Sequence, residues 1–264
     1  MDAVAFRGPA GVLAVLLLET ALGSLAVLAV APVWGVVKRG YFLLVGWTVV
    51  VCALLSVLAA RGPLGRVGGD GALATGALWA FTGLSVLVQA ALQTRREAVA
   101  RWLSVAACVA GTAAVVGIAQ IRGGGGALWG GIAAMLTGAV FLGATWDGMV
   151  LGHWYLVDRK LTVNPMRWHA WAFTVSIGLA VVSAALAKGG RPTGDESSLN
   201  PLLLVSDLTL YLAFGLVAVN ALLAFFVHKL VNEGSIRAAT GMLYLAVIMS
   251  LSAEFAAKAR FFTV

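Results

Sequence analysis

The stretch GVLAVLLLETALGSLAVLAVAP, residues 11–32, decides the fold. It holds about 20 mostly apolar residues, the length that a helix needs to cross a hydrocarbon core about 30 Å thick. That length predicts a first transmembrane helix and not a shorter signal peptide. Seven similar runs follow, at 41–60, 73–92, 102–121, 127–157, 168–187, 202–231 and 240–262. We therefore predict an all-α polytopic bundle of about eight transmembrane helices with short loops, a single integral membrane domain over residues 1–264.

The composition supports a membrane protein and excludes several other classes. Apolar residues make up 61% of the 264 and charged residues 11%, whereas a soluble domain has about 25% charged residues. The net charge of +7 comes from bases placed singly or in pairs between apolar runs, without the continuous basic stripe that nucleic-acid binding needs. Cys52 and Cys108 lie within apolar runs and form no CxxC motif, which excludes a cysteine-based zinc site, CxxC redox chemistry and covalent haem.

The bases in the loops give a prediction of topology. The first, third, fifth and seventh loops carry ten lysines and arginines, and the rest of the chain carries eight: the ten are Lys38, Arg39, Arg95, Arg96, Arg101, Arg159, Lys160, Arg167, Lys229 and Arg237. Cytoplasmic loops are enriched in such bases. The pattern predicts a multi-pass protein of the cell (inner) membrane with both termini outside.

Four acids lie inside the predicted spans, where a charge costs about 2.5–3.5 kcal/mol on insertion scales. Glu19, Asp207 and Glu254 each lie about 8–12 Å deep from the side of the termini, at 1.5 Å per residue, and Asp147 lies in span five. We interpret these four residues as a candidate proton path. Glu254 also has Lys258 one turn away, at the spacing of an ion pair within one helix.

Glu19 has no base at such a spacing, so its carboxyl must be protonated or matched by a neighbouring helix. Gly23, one turn on, is a small residue that allows a second helix to approach closely.

The stretch TWDGMVLGHWYLVDRKLTVNPMRWHAW, residues 145–171, concentrates histidine and tryptophan at the predicted hairpin between spans five and six. Its Trp and Tyr side chains are typical of an interfacial belt, and His169 beside Arg167 is interpreted as a residue at headgroup level. His153 and His228 lie at nearly equal depth on spans five and seven. The candidate cofactor-binding residues are His153, His228, Tyr155, Trp146 and Tyr244.

These residues favour an integral membrane subunit of a respiratory or electron-transfer complex that contributes a quinone site, a proton path or both. A b-type haem needs two histidines at equal depth on facing helices, which His153 and His228 could supply. A haem-free subunit fits better, because both histidines lie near helix ends. By helix number alone the chain is similar to the haem-free quinol-interacting subunits of respiratory reductases, an analogy that no sequence motif supports.

Two alternatives remain open at this stage. One is a small proton- or cation-coupled transporter, which is less favoured because none of the six prolines is expected to interrupt a span near its centre. The other is a structural anchor without chemistry of its own. In each case the lipid bilayer is a partner, and short loops suit a subunit that binds other membrane and peripheral proteins. The metalloprotease motif HExxH is absent from the sequence.

Overall fold

Eight helices account for nearly all of the chain that the structure, a computed structural model, describes: residues 9–122, 126–158, 160–186 and 208–262. Each is long and apolar enough to cross a membrane, which confirms the predicted all-α bundle. The helices are α1 (Pro9–Val30), α2 (Arg39–Val67), α3 (Ala72–Gln93), α4 (Glu97–Arg122), α5 (Gly126–Val157), α6 (Asn164–Leu186), α7 (Leu208–Asn232) and α8 (Ile236–Phe262).

Helix α1 is the centre of the bundle. In its most apolar window 78% of the residues are buried, against 39–56% in the other helices. It packs against α2, α4, α5 and α8, and α5 in turn contacts α6 and α8. The α1–α5 pair therefore lies between a group formed by α2, α3 and α4 and a group formed by α6, α7 and α8. A polar side chain of α1 that points into this interior, such as Glu19, is buried among the other helices.

Helix α2 is longer than the sequence predicts. The prediction ended it at residue 60, because the glycines, arginines and proline that follow are typical of a loop, yet the helix continues to Val67 through Pro63. Pro63 lies in the last two turns, and its missing N–H removes one helical hydrogen bond. Pro63 thus lies near a helix end, and no described helix has a proline near its centre, as the sequence predicts. Gly68, with φ of 66°, ends the helix.

Consecutive helices run in opposite directions, so the loops α1–α2, α3–α4, α5–α6 and α7–α8 share one side of the bundle, named here the basic side. The opposite side, where α1 begins and α8 ends, is named the terminal side. At the end of α7, Gly234 adopts φ of 73°, and Ser235 N donates to Leu230 O at 2.8 Å. This is the left-handed helix ending that glycine favours, and it turns the chain directly into α8.

The basic side is closed by contacts between loops. Lys38, before α2, forms an ion pair of 3.0 Å with Asp158, after α5. The Tyr155 hydroxyl donates to the Thr162 carbonyl and so holds the α5–α6 connection. Tyr155 is 7% exposed. The interfacial belt predicted there is therefore wrong for Tyr155, whereas Trp171, at 63% exposed, fits it.

The Lys38–Asp158 pair gives a prediction about pH. The Lys38 ammonium, bonded to Asp158, holds the pKa of that carboxyl below its ordinary value. Because the pKa is lower in the folded chain, the stabilisation is complete above the ordinary carboxyl pKa of about 3.9 and is lost as the pH falls through the folded value. We expect Lys38→Met to lower the thermal midpoint slightly at pH 7, by an amount that disappears in acid. Tryptophan fluorescence in detergent, with Lys229→Met as control, measures it; a difference that persists unchanged in acid would contradict this role.

Candidate functional site

Four polar side chains meet in the terminal half of the bundle interior and form what we call the lysine cluster: Glu19 of α1, Ser183 of α6, and Glu254 and Lys258 of α8. Lys258 Nζ lies 3.0 Å from Glu19 Oε1 and 2.9 Å from Glu254 Oε2. The Lys258 and Glu19 side chains are fully buried, and Glu254 is 2% exposed. Two of the four predicted acids thus converge on one base, which the sequence related only to Glu254.

The hydrogen bonds of the lysine cluster are distributed unequally. Lys258 Nζ donates to Glu254 Oε2, to Ser183 Oγ at 3.1 Å and to the α5 carbonyl of Ala134 at 3.0 Å. An ammonium has three donors, so all three are used. Lys258 Nζ also lies within hydrogen-bond distance of Glu19 Oε1, and Glu19 Oε2 has no partner among the described residues. Its carboxylate therefore keeps free acceptor capacity inside the protein.

Small residues allow α1, α5 and α8 to approach closely enough to form the lysine cluster. A Cβ atom placed on Gly23 of α1 would lie 1.7 Å from the Ala139 carbonyl oxygen of α5. One placed on Gly143 of α5 would lie 2.1 Å from the Gly23 carbonyl carbon. A Cβ on Gly138 would lie 2.7 Å from Glu254 Oε2. The close helix approach predicted from Gly23 is confirmed, and α5 is the helix that makes it.

Asp147 of α5 lies on the other side of this crossing, toward the basic side. Its side chain is fully buried, and neither carboxylate oxygen has a hydrogen-bond partner among the described residues. The Ser24 hydroxyl of α1 lies close to this carboxylate, and it too has no hydrogen-bond partner among the described residues. A buried charge without a partner is strongly unfavourable, so this position suits a carboxyl that holds a proton.

Tyr41 and His169 form a second buried contact near the basic side. The Tyr41 hydroxyl lies 3.5 Å from His169 Nε2, and His169 Nδ1 lies 3.0 Å from the Pro165 carbonyl oxygen. A carbonyl only accepts, so we assign the hydrogen to Nδ1, which leaves Nε2 as the acceptor of the Tyr41 hydroxyl. A Cβ atom on Gly148, the residue after Asp147, would lie 3.8 Å from His169 Cβ, so His169 packs beside this part of α5. His169 is 1% exposed, so its interpretation as a headgroup-level residue is wrong.

His153 and Tyr244, two of the predicted cofactor-binding residues, are brought together on the outside of the bundle. Tyr244 OH lies 3.1 Å from His153 Nδ1, and both side chains are exposed on the surface shared by α5 and α8. Gly152, beside His153, does not open space for that ring. A Cβ there would instead lie 2.6 Å from Thr240 Oγ1 of α8, so Gly152 sets how closely α8 packs.

The other predicted cofactor-binding residues lie elsewhere. His228 Nε2 is 2.9 Å from Thr174 Oγ1 of α6, and the His228 ring packs edge-on against Trp171. Trp146 is partly buried, and its Nε1 has no partner within the described chain. Tyr155 closes the α5–α6 connection. His153 of α5 thus pairs with Tyr244 of α8, whereas His228 of α7 pairs with Thr174 of α6.

Some members of the site were missed by the sequence analysis, and one predicted member cannot be placed. Asp207 lies outside the described residues. Tyr41 and Ser24 carried no signal, because one is next to an aromatic run and the other is an ordinary small residue of a span. In the described segments no group of three or more His, Cys, Asp or Glu side chains is arranged to hold a metal ion.

No protein-family model, curated protein or solved structure matches this chain.

Proposed function

We propose that this chain carries protons through the membrane interior as a subunit of an electron-transfer complex. The observation that carries the proposal is Asp147, a fully buried carboxyl with no hydrogen-bond partner in the described structure, on the most central pair of helices. Ionisable residues at bilayer depth are rare and typically serve ion or proton pathways. An acid kept only for stability would be expected to have a counter-ion or several donors.

The charges of the lysine cluster support the same role. With Lys258, Glu19 and Glu254 all ionised, the cluster has one positive and two negative charges, an excess of −1 in a fully buried position. An uncompensated buried charge is unfavourable by several kcal/mol. The cluster becomes neutral when it holds one additional proton, and Glu19, whose Oε2 has no hydrogen-bond partner among the described residues, is the position best able to take it.

The proposed path runs from the terminal side through the lysine cluster, past Ser24, to Asp147 and then to the Tyr41–His169 contact. Along α5, Asp147 is nine residues beyond Gly138, or about 13 Å at 1.5 Å per residue. A hydrogen bond spans about 3 Å, so a proton cannot pass between the two sites in one step. Because the Gly23–Gly143 crossing brings the two backbones into contact between them, transfer requires water to enter or the helices to move.

The His153–Tyr244 pair supports the electron-transfer part of the proposal. A lipid-soluble quinone reaches a protein through the bilayer, and a histidine and a phenol on a lipid-facing surface offer groups that hydrogen-bond to its oxygens and exchange protons. A haem b held by His153 and His228 is less supported than a haem-free quinone site. The His153 ring is hydrogen-bonded to Tyr244 of α8, and the His228 ring to Thr174 of α6. We expect quinone to be extracted from the protein purified in mild detergent and to be lost in His153→Phe. Equal quinone content in both proteins would contradict this site.

Asp147 also favours a second candidate, a proton- or cation-coupled transporter, because an unpaired acid among central helices is a common ion site. The anchor hypothesis is less favoured, since it requires every buried acid to be paired.

One experiment separates the proton-path subunit, the transporter and the anchor. Proteoliposomes holding the full chain are given a potassium diffusion potential, and internal pH is followed with a dye in sodium and in choline buffers.

We expect a proton flux above that of protein-free liposomes and equal in the two buffers. A flux that depends on sodium would favour the cation-coupled transporter. No flux in either buffer would contradict the proton path.

A further inference from the structure

A groove of about 230 Å³ opens between α2 and α3, toward the terminal side and away from the residues of the proposed path. Its walls are apolar, formed mainly by Val57, Leu64 and Leu78. Gly65 also lines it, and a Cβ atom there would meet no atom within 4 Å, so the space beside this glycine is open. The groove has the form of a channel for an alkyl chain.

One charged side chain, Arg61, lines this groove. Its guanidinium carbon lies 5.9 Å from the centre of the Trp79 ring, which orients the charge over the aromatic face. Arg61 forms no hydrogen bond or ion pair with another described side chain, although a guanidinium has five donors. It lies six residues before the end of α2, about 9 Å along the helix. At this depth the long arginine side chain can reach the level of the lipid headgroups, where phosphate is the anion at hand.

We propose that the groove binds an anionic phospholipid, with the phosphate on Arg61 and one acyl chain along Val57, Leu64 and Leu78. Guanidinium and phosphate match in geometry, because two parallel N–H groups can bond two phosphate oxygens. Trp79, 48% exposed, has the amphipathic ring that is enriched at the level of lipid headgroups. A neutral quinone would fit the walls and leave the charge of Arg61 unmatched.

This site is independent of the proposed proton path. No residue that lines the groove belongs to the proposed path, and Tyr41, on the same helix as Arg61, is about 30 Å away from it. Loss of lipid binding and loss of proton flux are therefore separate results. Lipid binding, as proposed, depends only on the residues of the α2–α3 groove.

The test is native mass spectrometry of the full chain, delipidated in mild detergent and titrated with phosphatidylglycerol, phosphatidylcholine or inorganic phosphate. We expect one phosphatidylglycerol to bind in preference to phosphatidylcholine, and no binding of inorganic phosphate, which lacks the chain that fills the groove. Arg61→Gln should weaken phosphatidylglycerol binding by about tenfold or more, the effect of losing a charge-assisted bidentate contact. Gly65→Leu should weaken it by filling the groove.

Two matched variants on α2 serve as controls. Arg66→Gln removes an exposed arginine that does not line the groove, and Gly62→Leu adds a side chain at a glycine with equally open surroundings. Both should bind phosphatidylglycerol as the unchanged chain does. Equal binding by Arg61→Gln and the unchanged chain would overturn the proposal, as would equal losses in Gly62→Leu and Gly65→Leu, or equal retention of phosphatidylcholine. Because Arg61→Gln adds no bulk, it keeps the test valid if Gly65→Leu folds poorly.

Discussion

Replacing Lys258 with methionine is expected to reduce the free energy of unfolding by roughly 3–5 kcal/mol, the usual cost of leaving buried charges without their partner. Lys258 is the only base near the Glu19 and Glu254 carboxylates in the described contacts, and its three donors also satisfy Ser183 and the Ala134 carbonyl. Methionine fills a similar volume, so the loss reports charge and hydrogen bonding more than packing. Denaturant or thermal unfolding in detergent, followed by tryptophan fluorescence, measures it.

A triple variant separates the charge effect from a general intolerance of substitution. Adding Glu19→Gln and Glu254→Gln to Lys258→Met removes both carboxylates that the lysine balances, so much of the lost stability should return. Lys229→Met, at an exposed position, should remain within about 0.5 kcal/mol of the unchanged chain. If Lys258→Met unfolds like Lys229→Met, the ammonium does not balance the two acids.

Replacing Gly23 with alanine is expected to destabilise the bundle by roughly 1–3 kcal/mol or more, the range for overpacking a tight interface. The added methyl group would lie 1.7 Å from the Ala139 carbonyl oxygen, a backbone atom that cannot move without displacing α5. Separating α1 from α5 also moves Glu19 away from the other members of the lysine cluster. Both effects have the same sign, and the unfolding midpoint in detergent reports their sum.

Gly178→Ala is the matched control for this substitution. Gly178 lies within α6, and a Cβ there would contact nothing within 4 Å. Alanine should be neutral at that position or slightly stabilising, because it favours the helix more than glycine does. Equal midpoints for Gly23→Ala and Gly178→Ala would mean that the α1–α5 contact is looser than the structure has it.

The sequence predicts the spans well because the requirement for a spanning helix is local. A run of about 20 apolar residues and a break containing bases can be recognised without knowing any neighbour. The prediction fails at the end of α2, where glycine and arginine are typical of a loop but the chain continues as helix to Val67. The prediction for that segment relied on residue composition alone and therefore ended the helix too early.

The site could be predicted only where its contacts lie within one helix. Glu254 and Lys258 are four residues apart, so their ion pair follows from helical geometry and is confirmed at 2.9 Å. Contact of Lys258 with Glu19 joins positions 239 residues apart and depends on how α1 and α8 pack. His169 was misplaced because its neighbour Arg167 is exposed, although two residues two positions apart point about 200° away from each other around a helix.

We infer a gated path and not an open channel, because the Gly23–Gly143 helix crossing separates the lysine cluster from Asp147. The lysine cluster is neutral with one additional proton and has an excess charge of −1 without it, and Asp147 has no hydrogen-bond partner among the described residues. Such an arrangement suits a subunit in which an electron-transfer event elsewhere changes the helix packing. We infer that isolated protein should conduct slowly and that its partners should increase the rate.

Proton flux through an Asp147→Asn and Asp147→Glu pair tests the proposed path most directly. Asparagine keeps the size of the buried group and removes the ionisable carboxyl, whereas glutamate keeps the carboxyl and adds one methylene group. In proteoliposomes under a potassium diffusion potential, we predict that Asp147→Asn reduces flux to the level of protein-free liposomes, while Asp147→Glu retains a measurable part of it. Flux in Asp147→Asn equal to that of the unchanged chain, with both proteins folded, would contradict a proton path through Asp147.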